Sequence, residues 1–109
     1  MKLIAAMVQD EDADVLLDAL MERGLKATKI STTGGFLRSG NTTLLLGVEE
    51  HQLEEALGLI KTHCQARTQL VNVMPSMLPL GAPDLPTPVE VAIGGATVFV
   101  WDIERYERY

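Results

Sequence analysis

The sequence predicts an α+β fold in which strands and helices alternate in the order β-α-β-β-α-β, with an additional strand or hairpin at the C-terminus. Two observations support this prediction. Apolar runs of strand length alternate with segments whose apolar residues recur at helical spacing. Stretches rich in glycine or proline separate these segments and mark the connections.

The first quarter of the chain predicts a strand, a helix and a second strand. Residues 2–9 form a compact apolar run of strand length. The segment 10–24 carries acids in its first turn and ends at Gly24, which is typical of a helix. Residues 25–33 are rich in β-branched side chains and predict a strand. The predicted apolar face of the helix consists of Val15, Leu16, Ala19 and Leu20.

A glycine-rich loop over residues 34–41 leads into the central part of the chain. Residues 42–48 predict a strand, and residues 49–65 predict the second helix. Its start carries acids and its end carries Lys61, as the helix dipole favours. The apolar stripe of this helix consists of Leu53, Ala56, Leu57 and Ile60. Residues 66–73 predict the next strand.

The last third contains all five prolines, which lie within residues 74–88 and predict irregular structure there. Residues 89–93 and 96–103 then predict a terminal hairpin around Gly94 and Gly95. The complete order predicts a ferredoxin-like sandwich, with both helices on one face of the sheet. Apolar strands such as 42–48 leave the other face in need of cover, which predicts an oligomer.

Composition narrows the class of protein. The 109 residues predict a single domain over 1–109, and 47% hydrophobic residues are typical of a globular chain. A formal net charge of −6 argues against binding a nucleic-acid polymer. No apolar run approaches the roughly 20 residues that span a bilayer, so no membrane insertion is expected. A single cysteine, Cys64, favours a reducing cytoplasm.

No catalytic or metal site is expected. The acids of residues 10–14 are better explained by the start of a helix than by a cation site. His51 and His63 lie near opposite ends of one predicted helix, so they cannot share an ion within one chain. Cys64 is expected to be a packed, inert thiol. Since none of the common catalytic motifs occurs, we predict neither an enzyme nor a cofactor.

The glycine-rich loop allows two interpretations. In the first, Phe36 and Leu37 fold back onto the core of a flexible hairpin. In the second, the loop clamps a nucleotide: its glycines bring backbone N–H groups close to an anion, and Phe36 and Leu37 lie against a purine. Thr28 and Asn41 flank the loop, Lys26 or Arg38 would balance phosphate charge, and Gly47 leaves space on the facing strand.

Three stretches resemble the cyclic di-AMP receptors of the PII-like superfamily of signal-transduction proteins. They are MVQDED at 7–12, ATKISTTGGFLRSGNTT at 27–43 and PVEVAIGGATVFVWD at 88–102. The resemblance implies a bacterial homotrimer that binds cyclic di-AMP at each subunit interface and signals to an unidentified downstream protein through rearranging loops. The implied ligand-binding residues are Lys26, Ala27, Thr28, Gly35, Phe36, Leu37, Asn41, Gly47, Phe99 and Arg108.

Two of these positions depart from the family pattern. Lys26 stands where the family commonly has arginine, so the charge is kept but the bidentate fork is lost. Arg108 stands where the family often has glutamine. Two alternatives therefore remain open: a PII-like trimer that binds ATP or ADP, and a trimeric scaffold whose loop binds only protein.

Overall fold

The computed structural model describes residues 1–32, 40–73 and 87–109. In chain order its elements are β1 (Lys2–Gln9), α1 (Asp10–Glu22), β2 (Thr28–Thr32), β3 (Asn41–Val48), a 3-10 turn (Glu50–Gln52), α2 (Leu53–His63), β4 (Arg67–Val73), β5 (Thr87–Ile93) and β6 (Ala96–Asp102). The side chains of residues 31, 32, 72, 73 and 87 are not described.

Four strands form an antiparallel sheet in the order β2-β3-β1-β6. Alternate side chains of a strand point to opposite faces of its sheet. From Ile4 onward, the even-numbered residues of β1 and β3 are buried against the two helices, so both helices cover the same face. This core comprises Ile4, Ala6, Val8, Leu44, Leu46 and Val48 from the strands and Ala13, Leu16, Leu20, Ala56 and Ile60 from the helices.

The C-terminus of α1 is closed as its sequence predicts. Gly24 has a φ of 73°, and its N–H donates to the carbonyl oxygen of Met21 at 3.0 Å. The N–H of Leu25 donates to the carbonyl oxygen of Leu20 at 2.9 Å. These two bonds form a Schellman motif, and Leu25 is buried in the same core as Leu20. Val15, by contrast, is exposed and does not share the buried face.

The start of the second helical segment is also capped. The backbone N–H of Glu49 donates to the side-chain oxygen of Gln52 at 3.0 Å, and the Glu49 side chain accepts in return, which completes a capping box. Within α2, Ala56 and Ile60 are buried, while Leu53 and Leu57 pack against the edge of the core. The predicted apolar stripe of this helix is therefore the stripe that the core uses.

The predicted terminal hairpin is wrong. Strand β5 pairs with β4 in a separate two-stranded sheet, whereas β6 pairs with β1 and takes the outer position of the main sheet. Gly94 and Gly95 both have positive φ and redirect the chain from one sheet to the other. The additional hairpin therefore lies between α2 and β6, not at the C-terminus.

The proline-rich segment is also shorter than predicted. Strand β5 begins at Thr87 and includes Pro88, which lies opposite Asn72. A proline near the first residue of a strand costs little there, because its missing N–H need not join the ladder. Residues 74–86, the rest of the predicted irregular segment, lie outside the described residues.

The mixed architecture, an antiparallel sheet with two helices on one face, is compatible with the predicted ferredoxin-like fold. In the part of the chain that the structure describes, no helix combines the length and apolar character that crossing a bilayer requires.

Candidate functional site

The sheet has a second face that no helix covers, which we call the helix-free face. It presents the odd-numbered residues of β1, β3 and β6, because residues paired across strands share a face. Phe99 and Trp101 stand on it with 41% and 50% of their surfaces exposed and their ring centroids 6.2 Å apart. Two adjacent, half-exposed aromatic residues make this face suited to cover by a ligand or another chain.

Four of the predicted binding residues lie on this face: Thr28, Asn41, Gly47 and Phe99. Thr28 pairs with Leu45, Leu45 pairs with Ala5, and Ala5 pairs with Phe99, so one row across the sheet contains Thr28 and Phe99. Gly47 lies two residues beyond Leu45 along β3, on the same face. Gly47 and Thr28 are therefore diagonal neighbours on adjoining strands, about 7–8 Å apart.

Other predicted residues are far from this pair. Phe99 is three strands from Thr28, a distance of about 14 Å at the usual strand spacing. Asn41 opens β3 six residues before Gly47, about 20 Å away along the strand. Within one chain, these four strand residues thus occupy three separate places on the helix-free face.

The remaining candidates lie beside the sheet or outside the described residues. Lys26 is exposed and Ala27 is half-buried, immediately before β2. Arg108 is exposed in the segment that follows β6. Three loop residues of the predicted clamp, and the neighbouring Arg38, lie outside the described residues; the three are Gly35, Phe36 and Leu37.

Gly47 leaves room above the sheet. A Cβ atom built at this position would have the Met1 Cε atom 3.7 Å away and the Ile103 Cδ1 atom 4.0 Å away, which are ordinary contacts. The fold itself therefore does not require glycine here. A glycine that folding does not need indicates that something else approaches the backbone at this point.

The first turn of α1 holds the end of the glycine-rich loop. The Asp10 N–H donates to the carbonyl oxygen of Gly40 at 3.0 Å, and the Thr42 hydroxyl donates to the Asp10 carboxylate at 2.6 Å. A Cβ atom on Gly40 would clash with a carboxylate oxygen of Asp10. The close approach of these two residues fixes the backbone that leads into Asn41.

An ion pair that the sequence analysis missed lies on the same turn. The Arg67 guanidinium donates to the two Asp12 carboxylate oxygens at 2.9 and 3.4 Å, and Asp12 is only 6% exposed. The hydrogen bond to Asp12 raises the pKa of Arg67 above its ordinary value. The two residues are 55 positions apart. No local sequence pattern could have paired them, although the acidic run at 10–14 drew attention to the segment that contains Asp12.

Cys64 behaves as the inert thiol that was predicted. It is 1% exposed, and burial raises the pKa of its thiol to about 11, with the Asp12 carboxylate as a further cause. A thiol that stays protonated at neutral pH is a poor nucleophile. Cys64 lines a cavity of about 340 Å³ between the end of α2 and the start of β6, together with Leu57, Ile60, Ala96 and Val98. That cavity contains none of the predicted binding residues.

Across residues 1–32, 40–73 and 87–109, no group of three or more acidic, histidine or cysteine side chains is arranged to hold a metal ion. His51 lies in the 3-10 turn and His63 at the last residue of α2, so the two are separated as expected. The chemistry that the described face offers is contact with apolar and aromatic groups, close backbone approach at Gly47, and a nearby cation at Lys26.

An antiparallel sheet with two helices on one face and exposed aromatic side chains on the other has the architecture of a small ligand-binding or assembly domain. Comparison with known proteins makes the assignment more specific. A family model described as "Cyclic-di-AMP receptor" matches residues 1–109. The chain therefore belongs to the cyclic-di-AMP receptor family. This family assignment supports binding of cyclic di-AMP and a role in signalling, which agrees with the resemblance seen in the sequence.

The chain is also similar to a solved structure. The crystal structure of a functionally unknown protein from Pediococcus pentosaceus ATCC 25745 is 41% identical in sequence, with a TM-score of 0.78. The match covers 99% of this chain and 96% of that chain. This match supports the fold of the chain, because the similarity extends over nearly the full length of both chains.

Proposed function

We propose that this protein is a bacterial, cytoplasmic receptor that binds cyclic di-AMP between adjacent subunits of a homotrimer, with residues 1–109 as one receptor domain. The signal then passes to a downstream protein through rearrangement of the loops. The family assignment supports the ligand. The separation of the candidate residues on the helix-free face supports the position between subunits.

That separation is the observation that carries the proposal. Asn41 and Gly47 are about 20 Å apart on one strand, which is too far for a compact nucleotide to contact both in the same chain. Phe99 lies on the strand at the opposite edge of the sheet from Thr28. A site that uses all of these residues needs two chains, with different edges of the sheet facing each other.

The two edges of the sheet favour a closed ring of chains. Strand β2 forms one edge and β6 the other, so a contact between them joins different surfaces of successive copies. Such head-to-tail contacts close into a ring when the rotation between successive copies divides a full turn, and form open filaments when it does not. The resemblance to the PII-like receptors implies that the ring has three members.

The hairpin of β4 and β5 supports association independently. One of its faces carries Val71, Val89 and Val91, all exposed, and Leu70 on the other face is 68% exposed. A two-stranded hairpin is marginally stable in water without something to pack against. Contact with a second copy would bury these side chains and stabilise the hairpin.

The chemistry of the ligand fits the described residues. Cyclic di-AMP offers purine faces for apolar and aromatic side chains and phosphodiesters for cations and backbone N–H groups. Phe99 provides a half-exposed ring, Gly47 gives access to the backbone, and Lys26 is an exposed cation next to β2. The loop residues Gly35, Phe36 and Leu37 complete the proposed clamp.

Calorimetric titration of the purified protein with cyclic di-AMP tests this function, with cyclic di-GMP and ATP as matched controls. We expect saturable binding near one ligand per chain, and weak or no heat with both controls. Heat with ATP and none with cyclic di-AMP would contradict the assignment of the ligand and favour the adenine-nucleotide alternative. No heat with any nucleotide would favour the protein-binding scaffold.

A further inference from the structure

Residues 9–12, which we call the bridging segment, contact two distant parts of the chain. On one side, Asp10 accepts a hydrogen bond from the Thr42 hydroxyl at 2.6 Å and donates its N–H to the Gly40 carbonyl at 3.0 Å. Gly40 and Thr42 flank Asn41, a predicted ligand residue. The bridging segment therefore holds the backbone on both sides of the nucleotide site's Asn41.

On its other side, the bridging segment holds both ends of the β4–β5 hairpin. The guanidinium of Arg67, the first residue of β4, donates two hydrogen bonds to the Asp12 carboxylate, at 2.9 and 3.4 Å. Gly94, the first residue after β5, donates its backbone N–H to the Gln9 side chain. A Cβ atom at Gly94 would clash with the carbonyl oxygen of Gln65 and with an Arg67 nitrogen, so these groups are tightly packed.

The hairpin has few other means of holding its orientation. Among the described residues, β4 and β5 pair only with each other, and Leu70, Val71, Val89 and Val91 are exposed. The bridging segment, in contrast, is the junction of the central strand β1 and helix α1, both of which contribute to the core. Polar contacts to this junction, together with the hydrogen bond from the Gly95 N–H to the Cys64 carbonyl oxygen at 2.7 Å, therefore hold the hairpin relative to the sheet.

We propose that the bridging segment couples the nucleotide site to the β4–β5 hairpin, with Asp12 and Arg67 as positioning residues. This inference rests on the proposed function. A ligand that shifts the backbone around Asn41 also shifts Asp10, because both neighbours of Asn41 are bonded to it. Asp12 lies in the same helical turn and moves with Asp10. The pair of hydrogen bonds from Arg67 to Asp12 then changes, and the orientation of the hairpin changes with it.

Amide hydrogen exchange of residues 67–71 and 89–93, measured with and without cyclic di-AMP, tests the coupling. Thr42→Val removes the side-chain contact on the nucleotide side, the hydrogen bond from the Thr42 hydroxyl to Asp10, with little change of shape. Arg67→Lys keeps the charge on the hairpin side but removes the fork. Asp14→Asn is the matched control, since Asp14 lies on the same helix and pairs with Lys29 at 3.1 Å, away from the hairpin.

In the wild type and in Asp14→Asn, we expect the ligand to change the hairpin exchange rates by at least about fivefold, the lower end of typical coupling. In Thr42→Val and Arg67→Lys this change should fall below about twofold, while calorimetry still shows cyclic di-AMP binding. Persistence of the full change in both variants would overturn the coupling. A wild type that binds without any change in the hairpin would overturn it as well and leave the proposed function intact.

Failure of the proposed function has a different signature. In that case the wild type shows no calorimetric binding of cyclic di-AMP at all, and the coupling falls with it. If Thr42→Val or Arg67→Lys lowers the melting temperature by more than a few degrees, the other variant decides the result, because the two act on opposite sides of the bridging segment.

Discussion

Substitution of Gly47 should affect ligand binding without affecting the stability of the fold. Its Cβ position is open, with nothing nearer than 3.7 Å, so Gly47→Ala should fold normally. We expect the free energy of unfolding to change by less than about 1 kcal/mol, because replacing glycine in a permitted conformation mainly restricts the unfolded chain. Affinity for cyclic di-AMP should fall at least about tenfold, since the added methyl occupies space on the proposed site.

Denaturant unfolding of Gly47→Ala measures the free energy of unfolding, and calorimetric titration measures the affinity for cyclic di-AMP. Gly58→Ala is a suitable control for the titration, because Gly58 lies in α2 and nothing is within 4 Å of its Cβ position. Equal affinities of Gly47→Ala and the wild type would remove Gly47 from the site.

Burial of Cys64 gives the protein an alkaline limit of stability. The folded thiol has a pKa of about 11 against an ordinary value of 9.0, so the folded state holds a proton that the unfolded chain releases. The contribution is complete below pH 9 and is lost as pH rises from there through 11. Two pKa units correspond to roughly 3 kcal/mol at most.

Comparison with Cys64→Ala isolates this effect. All other ionisable groups are common to both proteins, so only the difference between the two pH profiles reports on the thiol. We expect the wild type to lose more stability than Cys64→Ala between pH 9 and 11. Parallel profiles would show that the buried thiol ionises as easily as a free one.

The Asp12–Arg67 ion pair shows what sequence reasoning at the scale of single residues cannot reach. An acid at the start of a helix has a sufficient local explanation in the helix dipole, and that explanation covers the acids of α1. Only the three-dimensional structure shows that Asp12 is buried and faces a guanidinium at the base of the hairpin. By contrast, Gly24 was predictable, because its role depends on residues in the same turn.

Among the secondary-structure elements of the described residues, the six strands and two helices follow from periodicity, whereas the pairing of the last strands does not. Gly94 and Gly95 between two apolar runs resemble a hairpin turn, yet β5 returns to β4 and β6 adds to β1. Strand pairing is decided by contacts far apart in sequence, as in the pairing of β1 near the N-terminus with β6 near the C-terminus. A local turn signal cannot distinguish a hairpin from a crossing between two sheets.

The conformation of Gly94 leads to a prediction about the free energy of unfolding. Gly94 has a φ of 76° and its Cβ position overlaps the carbonyl oxygen of Gln65, so Gly94→Ala combines backbone strain with a clash against backbone. We expect a loss of at least about 2 kcal/mol in the free energy of unfolding.

Gly58→Ala is the matched opposite case. Gly58 lies inside α2 with open space around it, and alanine favours the helix there, so a gain of about 0.5–1 kcal/mol is expected. Urea unfolding of the two variants measures both values. A Gly94→Ala protein as stable as the wild type would show that the base of the hairpin tolerates a side chain and is loosely packed.

At the scale of the whole molecule, the proposed function requires more than one chain to complete the binding site. Its helix-free face exposes aromatic side chains, its hairpin exposes valines, and its candidate ligand residues are spread over that face. Each of these features is accounted for if copies associate over this face and the nucleotide binds between them. The sequence led to the ligand through the resemblance, but the spread of the residues became visible only with the strand register.

Intersubunit complementation measures this central claim most directly. Gly47→Leu fills the space on one side of the proposed site. The double variant Phe36→Ala with Leu37→Ala removes the apolar side chains on the loop side. Neither protein alone should bind cyclic di-AMP measurably. Both should retain an assembly mass three times the chain mass of 11.9 kDa in analytical ultracentrifugation, which is the control for folding and assembly.

The measurement is a cyclic di-AMP titration of trimers formed by refolding the two variants together in equal amounts. If the site lies between chains, about one interface in four joins an intact Gly47 side to an intact loop side, and that fraction of sites should bind with wild-type affinity. If the mixed trimers bind no better than either variant alone, although wild-type trimers bind normally, each site lies within one chain and binding between subunits is contradicted.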